Sequence, residues 1–259
     1  MPLQAESDHR AGLPPEEAEI QELPLDGTRQ AWDEIVDAWL AGGPIAPPHL
    51  RSWYASYQGR GAGAVVENAL PEPWIGALVP ATCRMVFLAL NPGRAHLRFQ
   101  GREGVFADEI RTTYRRYSAW AASWPYLREP WISSVGRNRH HESRLRFMQN
   151  WYDDATLSSD AMVGLELYPW HSTKVTASMR PDPGLIREWV WEPVADLDAP
   201  VFAFGAPWLD LLEHGLQLPV VDRLGAHGRP YGSAVASRAI TLFAHRRHTP
   251  RPGRAGRRP

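Results

Sequence analysis

Three short stretches of the chain carry side chains able to do chemistry. In "MVFLALNPGRAHLRF" (85–99) an uncharged apolar run breaks off at Asn91-Pro92-Gly93 and passes at once into Arg94 and Arg98. Proline cannot donate to a strand ladder and fixes its own φ, while glycine lets the backbone turn sharply and lie close to a ligand. The amide of Asn91 is therefore expected at a strand mouth, where it could orient a water or hydrogen-bond a reacting group. An ordinary strand-to-loop turn is the plain alternative, because Asn-Pro-Gly is common turn chemistry.

The second stretch, "LELYPWHSTK" (165–174), offers Glu166, or Tyr168 in a shifted register, and then His171 and Lys174. An ionised carboxylate only accepts hydrogen bonds, so Glu166 would suit an exocyclic amino group. Pairing with a nearby arginine at the sheet edge is its alternative. His171 could stabilise a leaving group; Lys174 could touch a phosphate or act as an amine nucleophile, or be a solvated lysine in a surface turn. The third stretch, "AITLFAHRRHTPRP" (239–252), places His245 and His248 around an arginine pair.

Other chemistries lack their residues. There is no Gly-x-Ser-x-Gly elbow, no Gly-x-x-x-x-Gly-Lys phosphate loop and no Cys-x-x-Cys pair. His140, His141 and Glu142 in "GRNRHHESR" have no further ligand spaced to complete a zinc site, and a basic loop is expected there. Neither metal nor cofactor is expected.

The elements that must position these groups are legible from patterning. "DGTRQAWDEIVDAWLAGG" reads as a helix, with Asp26 or Thr28 as its cap, Trp32, Ile35, Val36 and Trp39 at helical spacing, and Gly42-Gly43 as its stop. Residues 44–80 read as irregular cover. Beyond residue 83, apolar runs at 85–90, 161–167, 200–205, 218–222 and 239–244 alternate with helical segments at 106–123, 143–155, 184–197 and 206–214. Continuous apolarity means strands covered on both faces. The pattern predicts a three-layer α/β/α sandwich with a mainly parallel central sheet, whose sites gather beyond the carboxyl ends of the strands. The tryptophan-rich segment 119–131 reads as a lid or core wall.

Net charge is −1 over 259 residues, but arginine is concentrated. Residues 94–146 hold eleven Arg against five acids, and 245–259 hold six Arg and no acid. This suits a local surface for an anionic partner, or else a solvated face and a disordered end. Cys83 is the lone cysteine, so no internal disulfide is possible. The chain shows no signal-peptide core and no run of about 20 apolar residues. A soluble cytoplasmic monomer with no membrane partner is expected.

The string "LALNPGRAHLRFQGREGVFADEI" resembles the first motif of the uracil-DNA glycosylase superfamily, in the branches that place Asn before Pro-Gly. The chain departs from that pattern at Leu88-Ala89-Leu90, where those branches carry a glycine. The resemblance covers about residues 83–252. It implies that Asn91 positions the attacking water, that Pro92 and Gly93 form the turn, and that Phe106, after Gly104, stacks on an extruded base. The second strand would read the base edge through Glu166 or Tyr168. His248 or His245, with His171 as a rival, would stabilise the leaving base. Arg94, Arg98 and Arg102 would hold phosphates or a displaced strand.

The expected organisation is a disordered extension (1–25), a helical and irregular N-terminal cover (26–82), a uracil-DNA glycosylase-like domain (83–248) and a basic tail (249–259). The expected activity is metal-independent hydrolysis of the N-glycosidic bond of uracil or of a modified, amino-bearing base in single- or double-stranded DNA, in repair or in defence against modified phage DNA. A nucleic-acid-binding module that keeps the fold without catalysis, and a small-molecule hydrolase using Glu166 and His171, are the alternatives.

Overall fold

The computed structural model describes residues 25–57, 59, 61–175 and 180–218, and the backbone of strands at 222–224, 230–233 and 240–243. His245, His248, most of the acidic extension and the basic tail lie outside the described residues.

Helix α1 (Leu25–Leu40) forms because Leu25, Thr28, Trp32, Ile35, Val36 and Trp39 recur every three or four positions and bury one face. Both Asp26 and Thr28 lie inside the helix, Asp26 exposed in the first described turn and Thr28 buried, so neither is its cap. The expected glycine stop is present. Gly42 has φ +99°, and the amides of Gly42 and Gly43 close on the carbonyls of Trp39 and Ala38.

The segment expected to be irregular contains α2 (Arg51–Tyr57) and strand β1 (Trp74–Ile75). Strand β2 (Met85–Ala89) follows, and then short helices α3 (Leu97–Gln100), α4 (Val105–Glu109), α5 (Tyr117–Ala122) and α6 (Trp131–Ser134). The longer α7 (Arg139–Tyr152) leads into β3 (Met162–Glu166). Helices α8 (Pro183–Ile186) and α9 (Glu192–Asp196) precede β4 (Val201–Phe204) and α10 (Ala206–Asp210), and β5 (Asp222–Leu224), β6 (Pro230–Ser233) and β7 (Ile240–Phe243) complete the sheet.

The protein is mixed α/β with a mostly parallel open sheet in the order β1-β3-β2-β4-β7-β5-β6. β2 pairs in parallel with β3 and β4, β7 with β4 and β5; β1 and β6 are antiparallel edges. Every residue of β2 and β3 is buried, which accounts for their unbroken apolar runs. Four of the five apolar runs coincide with strands; the fifth, 218–222, meets β5 only at Asp222. The edges β1 and β6 carry too short a pattern to be read from sequence.

The 119–131 segment is core wall at Trp120 and Trp124, both buried. Cys83 is also buried, and burial pushes its thiol up to about 11. Among the described residues no helix is long and apolar enough to cross a membrane.

Helix α7 sets the site. Phe87 of β2 is the register partner of Gly164 on one side and Phe202 on the other, so the three share a sheet face. Phe147 and Trp151 of α7 lie on Phe202 at ring distances of 4.9 and 5.0 Å. One turn earlier, the Arg144 guanidinium sits over Phe87 and Phe204. Gly164 makes room for it, since a Cβ there would stand 3.3 Å from Arg144 Nη1. The residues expected as a basic loop are instead the first turn of α7, capped by the Asn138 side chain, which accepts from the His141 amide.

Candidate functional site

Past the ends of β2 and β3 the chains stay zipped, with the amides of Leu167 and Tyr168 bonded to the carbonyls of Ala89 and Leu90. This carries Asn91 and Ser172 forward together. Gly93 takes φ +83° with nothing within 4 Å of where a Cβ would stand, so backbone conformation, not crowding, demands glycine here.

The Asn91 side chain is held by its nitrogen. Nδ2 donates to the Tyr57 hydroxyl (2.7 Å) and the Ser172 carbonyl (2.9 Å), with Ser172 Oγ at 3.3 Å. A carbonyl only accepts, so the orientation of the amide is decided by its neighbours. Oδ1 takes no hydrogen bond among the described residues, and Asn91 lines a pocket of about 360 Å³. Tyr57 is braced in turn by the Ser172 hydroxyl (2.5 Å) and by Tyr168, stacked at 4.3 Å. Tyr168 is thus fully buried behind the site and does not line the pocket.

Pro92, Gly93 and Arg94 share the pocket with Asn91 and Glu166. Glu166 ends β3, on the same sheet face as Gly164, and is 9% exposed. Its Oε2 is enclosed without a hydrogen-bond partner, and among the described residues it forms no ion pair. Burial, opposed by the charge of Arg144 and reinforced by Glu72, pushes its carboxyl up to about 8. Two expectations are corrected: Glu166 is neither paired to an arginine at the sheet edge nor an ionised, acceptor-only reader at neutral pH. Protonated, it offers one donor and one acceptor, as an amide side chain would.

His171 is displaced from the role of leaving-group histidine. Its ring is fully buried, does not line the pocket, and bridges the Gly93 carbonyl (Nδ1, 3.1 Å) and Glu72 Oε1 (Nε2, 3.1 Å). Glu72 also receives the Tyr126 hydroxyl (2.5 Å) and Gln100 Nε2 (3.0 Å), while Gln100 Oε1 accepts from the His96 amide. This network positions the Asn-Pro-Gly turn against the loop that follows β3. Glu72 arrives from the segment read as cover, and nothing in its local sequence marks it.

Phe106 is also corrected. It is 0% exposed, packed among Phe99, Trp120, Tyr126 and Trp131, and is not a pocket wall. The aromatic surfaces on the pocket are Trp74, Tyr126, Trp131 and the His140 and His141 rings. Lys174 is exposed and lies off the pocket; its carbonyl accepts from Ser172 Oγ.

The three arginines separate. Arg94 and Arg98 are exposed. Arg102 is tied down: it donates to the Gly43 carbonyl (2.9 Å) and lies 4.9 Å over the Trp39 ring, so it fastens the end of α1 to the loop after α3.

Helix α7 supplies the residues that the motif reading missed. His141 and Arg144 line the pocket, are 8% and 4% exposed, and hold buried nitrogens, Nδ1 and Nη2, without hydrogen-bond partners among the described residues. Burial and Arg144 push His141 well below the usual histidine range. Burial lowers Arg144 to about 10 against the opposing pull of Glu166. The available signal was periodic: His141, Arg144 and Met148 fall on one buried helical face, interrupting it with polar side chains.

No family model, curated protein or solved structure matches the chain.

Among the described residues no cluster of three or more His, Cys, Asp or Glu is arranged to hold a metal ion. A larger groove of about 840 Å³ runs along α1 and α5 past Asp26, Asp33, Asp37 and Arg116. None of its lining residues holds a buried, unpartnered polar atom, and Asp33 is satisfied by Ser118. The smaller pocket, with three such residues, is where a ligand would relieve the chain's own unmet hydrogen bonds.

Proposed function

We propose that the chain is a DNA N-glycosylase with a three-layer, uracil-DNA glycosylase-like α/β/α architecture, hydrolysing the bond between a base and its sugar. The observation that carries this reading is the division of labour in Asn91. Its nitrogen is committed to Ser172 and Tyr57, its oxygen takes no hydrogen bond among the described residues, and Asn91 lines the pocket that Glu166 also lines.

Cleavage of an N-glycosidic bond develops positive charge on the sugar and negative charge on the departing base. A held water and a donor to the base are the minimum equipment. Asn91 Oδ1 accepts a hydrogen bond from the attacking water and aims it. Protonated Glu166 meets the polar edge of the base with a donor and an acceptor. A pocket of about 360 Å³ admits one heterocycle, and extrusion of that base from a duplex is compensated by phosphate contacts. Arg94, which lines the pocket, and Arg98 are exposed, form no ion pair among the described residues, and would make them.

The test is incubation of purified protein with single- and double-stranded oligonucleotides carrying a panel of normal and modified bases, followed by cleavage at abasic sites. The expected result is excision of at least one base, abolished by Asn91→Ala in a protein that still melts cooperatively. Salt-sensitive DNA binding with every base left intact would instead favour a binding module without catalysis.

A further inference from the structure

Arg144 brings its guanidinium to the pocket wall without a direct hydrogen-bond or ion-pair partner among the described residues. It is 4% exposed, and a guanidinium carries five donors. The Phe87 and Phe204 rings beneath it, 5.7 and 5.6 Å from its central carbon, attract the cation but accept no conventional hydrogen bond. Gly164 leaves the space it occupies. Around it on the pocket wall stand Glu166, His141, His140 and Glu72. Burial keeps Glu166 protonated near neutral pH, so that carboxyl does not cancel the charge. Burying such a group with Nη2 unfilled is costly, and a ligand that supplies an acceptor recovers that cost.

We infer that Arg144 is a specificity-determining residue of this pocket, selecting a heterocycle whose inner edge carries an acceptor, a carbonyl oxygen above all, over one carrying an exocyclic amino group there. The inference rests on the reading of the pocket as a base-binding site. An amino group placed against the guanidinium sets donor against donor and leaves both unsatisfied, whereas a carbonyl fills the vacancy. Glu166 accommodates either partner by turning its hydroxyl, so it does not discriminate; Arg144, which only donates, does. This reverses the preference for an amino-bearing base that an ionised Glu166 would impose.

The experiment titrates the full-length protein with free bases that exchange a carbonyl for an amino group, with the matching switch of donor to acceptor on the adjacent ring nitrogen, uracil against cytosine and hypoxanthine against adenine. Binding is followed by quenching of tryptophan fluorescence, since Trp74 and Trp131 line the pocket. The carbonyl member of each pair is expected to bind roughly 10- to 100-fold more tightly. Arg144→Met is expected to erase the difference with the fold intact by circular dichroism. The wild-type ranking stands as an independent measurement should that variant fail to fold. Equal or tighter binding of the amino members, no binding of any base, or a preference that survives in folded Arg144→Met would overturn the inference. Oligonucleotide cleavage separates the two readings. Preference among free bases without any excision retires the glycosylase and keeps Arg144's role; excision of cytosine or adenine as readily as of the carbonyl bases keeps the glycosylase and retires that role.

Discussion

Asn91 Nδ2 lies 2.9 Å from the carbonyl oxygen of Ser172, a contact that joins the loops after β2 and β3 and fixes the orientation of the Asn91 amide. Asn91→Asp is therefore a disruptive change despite its similar shape. A carboxylate set against the Ser172 carbonyl repels it, and the Tyr57 hydroxyl must reorient. Losing a buried donor costs about 1–3 kcal/mol. Thermal melting should show Asn91→Asp at or below the stability of Asn91→Ala at pH 8; a more stable Asp variant would contradict the assigned amide orientation.

Glu166 gives the fold a signed dependence on pH. Its carboxyl is raised to about 8 from an ordinary value of 4.5, so between those limits the folded state holds a proton that the unfolded chain has released. The stabilising contribution is complete below about pH 4.5 and is lost as pH rises through about 8, with a slope near 1.4 kcal/mol per pH unit inside that window. Denaturant titrations from pH 5 to 9 should show stability falling in the wild type and falling less in Glu166→Gln. Parallel curves would mean that Glu166 ionises normally.

His171 holds a turn, so its removal should first be felt as lost stability. Replacing it with Ala leaves the Gly93 carbonyl and Glu72 each short of a buried partner. A loss of about 3 kcal/mol, roughly 6–12 °C in melting temperature, is expected. A variant that melts like the wild type but loses excision would restore the histidine to the chemistry.

Phe106→Leu tests the relocation of the stacking surface. The ring is wholly inside an aromatic cluster, so a volume-reducing swap should cost about 1–2 kcal/mol and leave base affinity unchanged. Trp131→Ala, which removes a pocket wall, should weaken base binding. The opposite ranking in fluorescence titrations would return Phe106 to the stacking role.

The arginines should divide by function. Arg94→Ala and Arg98→Ala are each expected to lower the slope of log binding constant against log salt by about 1 with melting unchanged. Arg102→Ala should lower the melting temperature, because it severs the contact to Gly43 and Trp39. Were Arg102→Ala to change only the salt slope, its assignment as a fastener would fail.

The sequence by itself determined the alternation of buried strands and helices and the position of Asn91 at a strand mouth. Both follow from local rules: an apolar run long enough to be covered on two faces, and a Pro-Gly pair that ends it. Local chemistry also marked Glu166, but not its protonation, which is set by burial and by charges from Arg144 and Glu72, more than 20 and 90 residues away in the chain. Only the tertiary structure brought Glu72 and Tyr57 from an apparently irregular segment to brace His171 and Asn91. It also turned the presumed loop at His140 and His141 into the start of α7, and so carried Arg144 over Gly164. The physical reason is that a side chain's type is written in one residue, whereas its solvent, its partners and its free hydrogen-bonding atoms belong to whatever the fold packs against it.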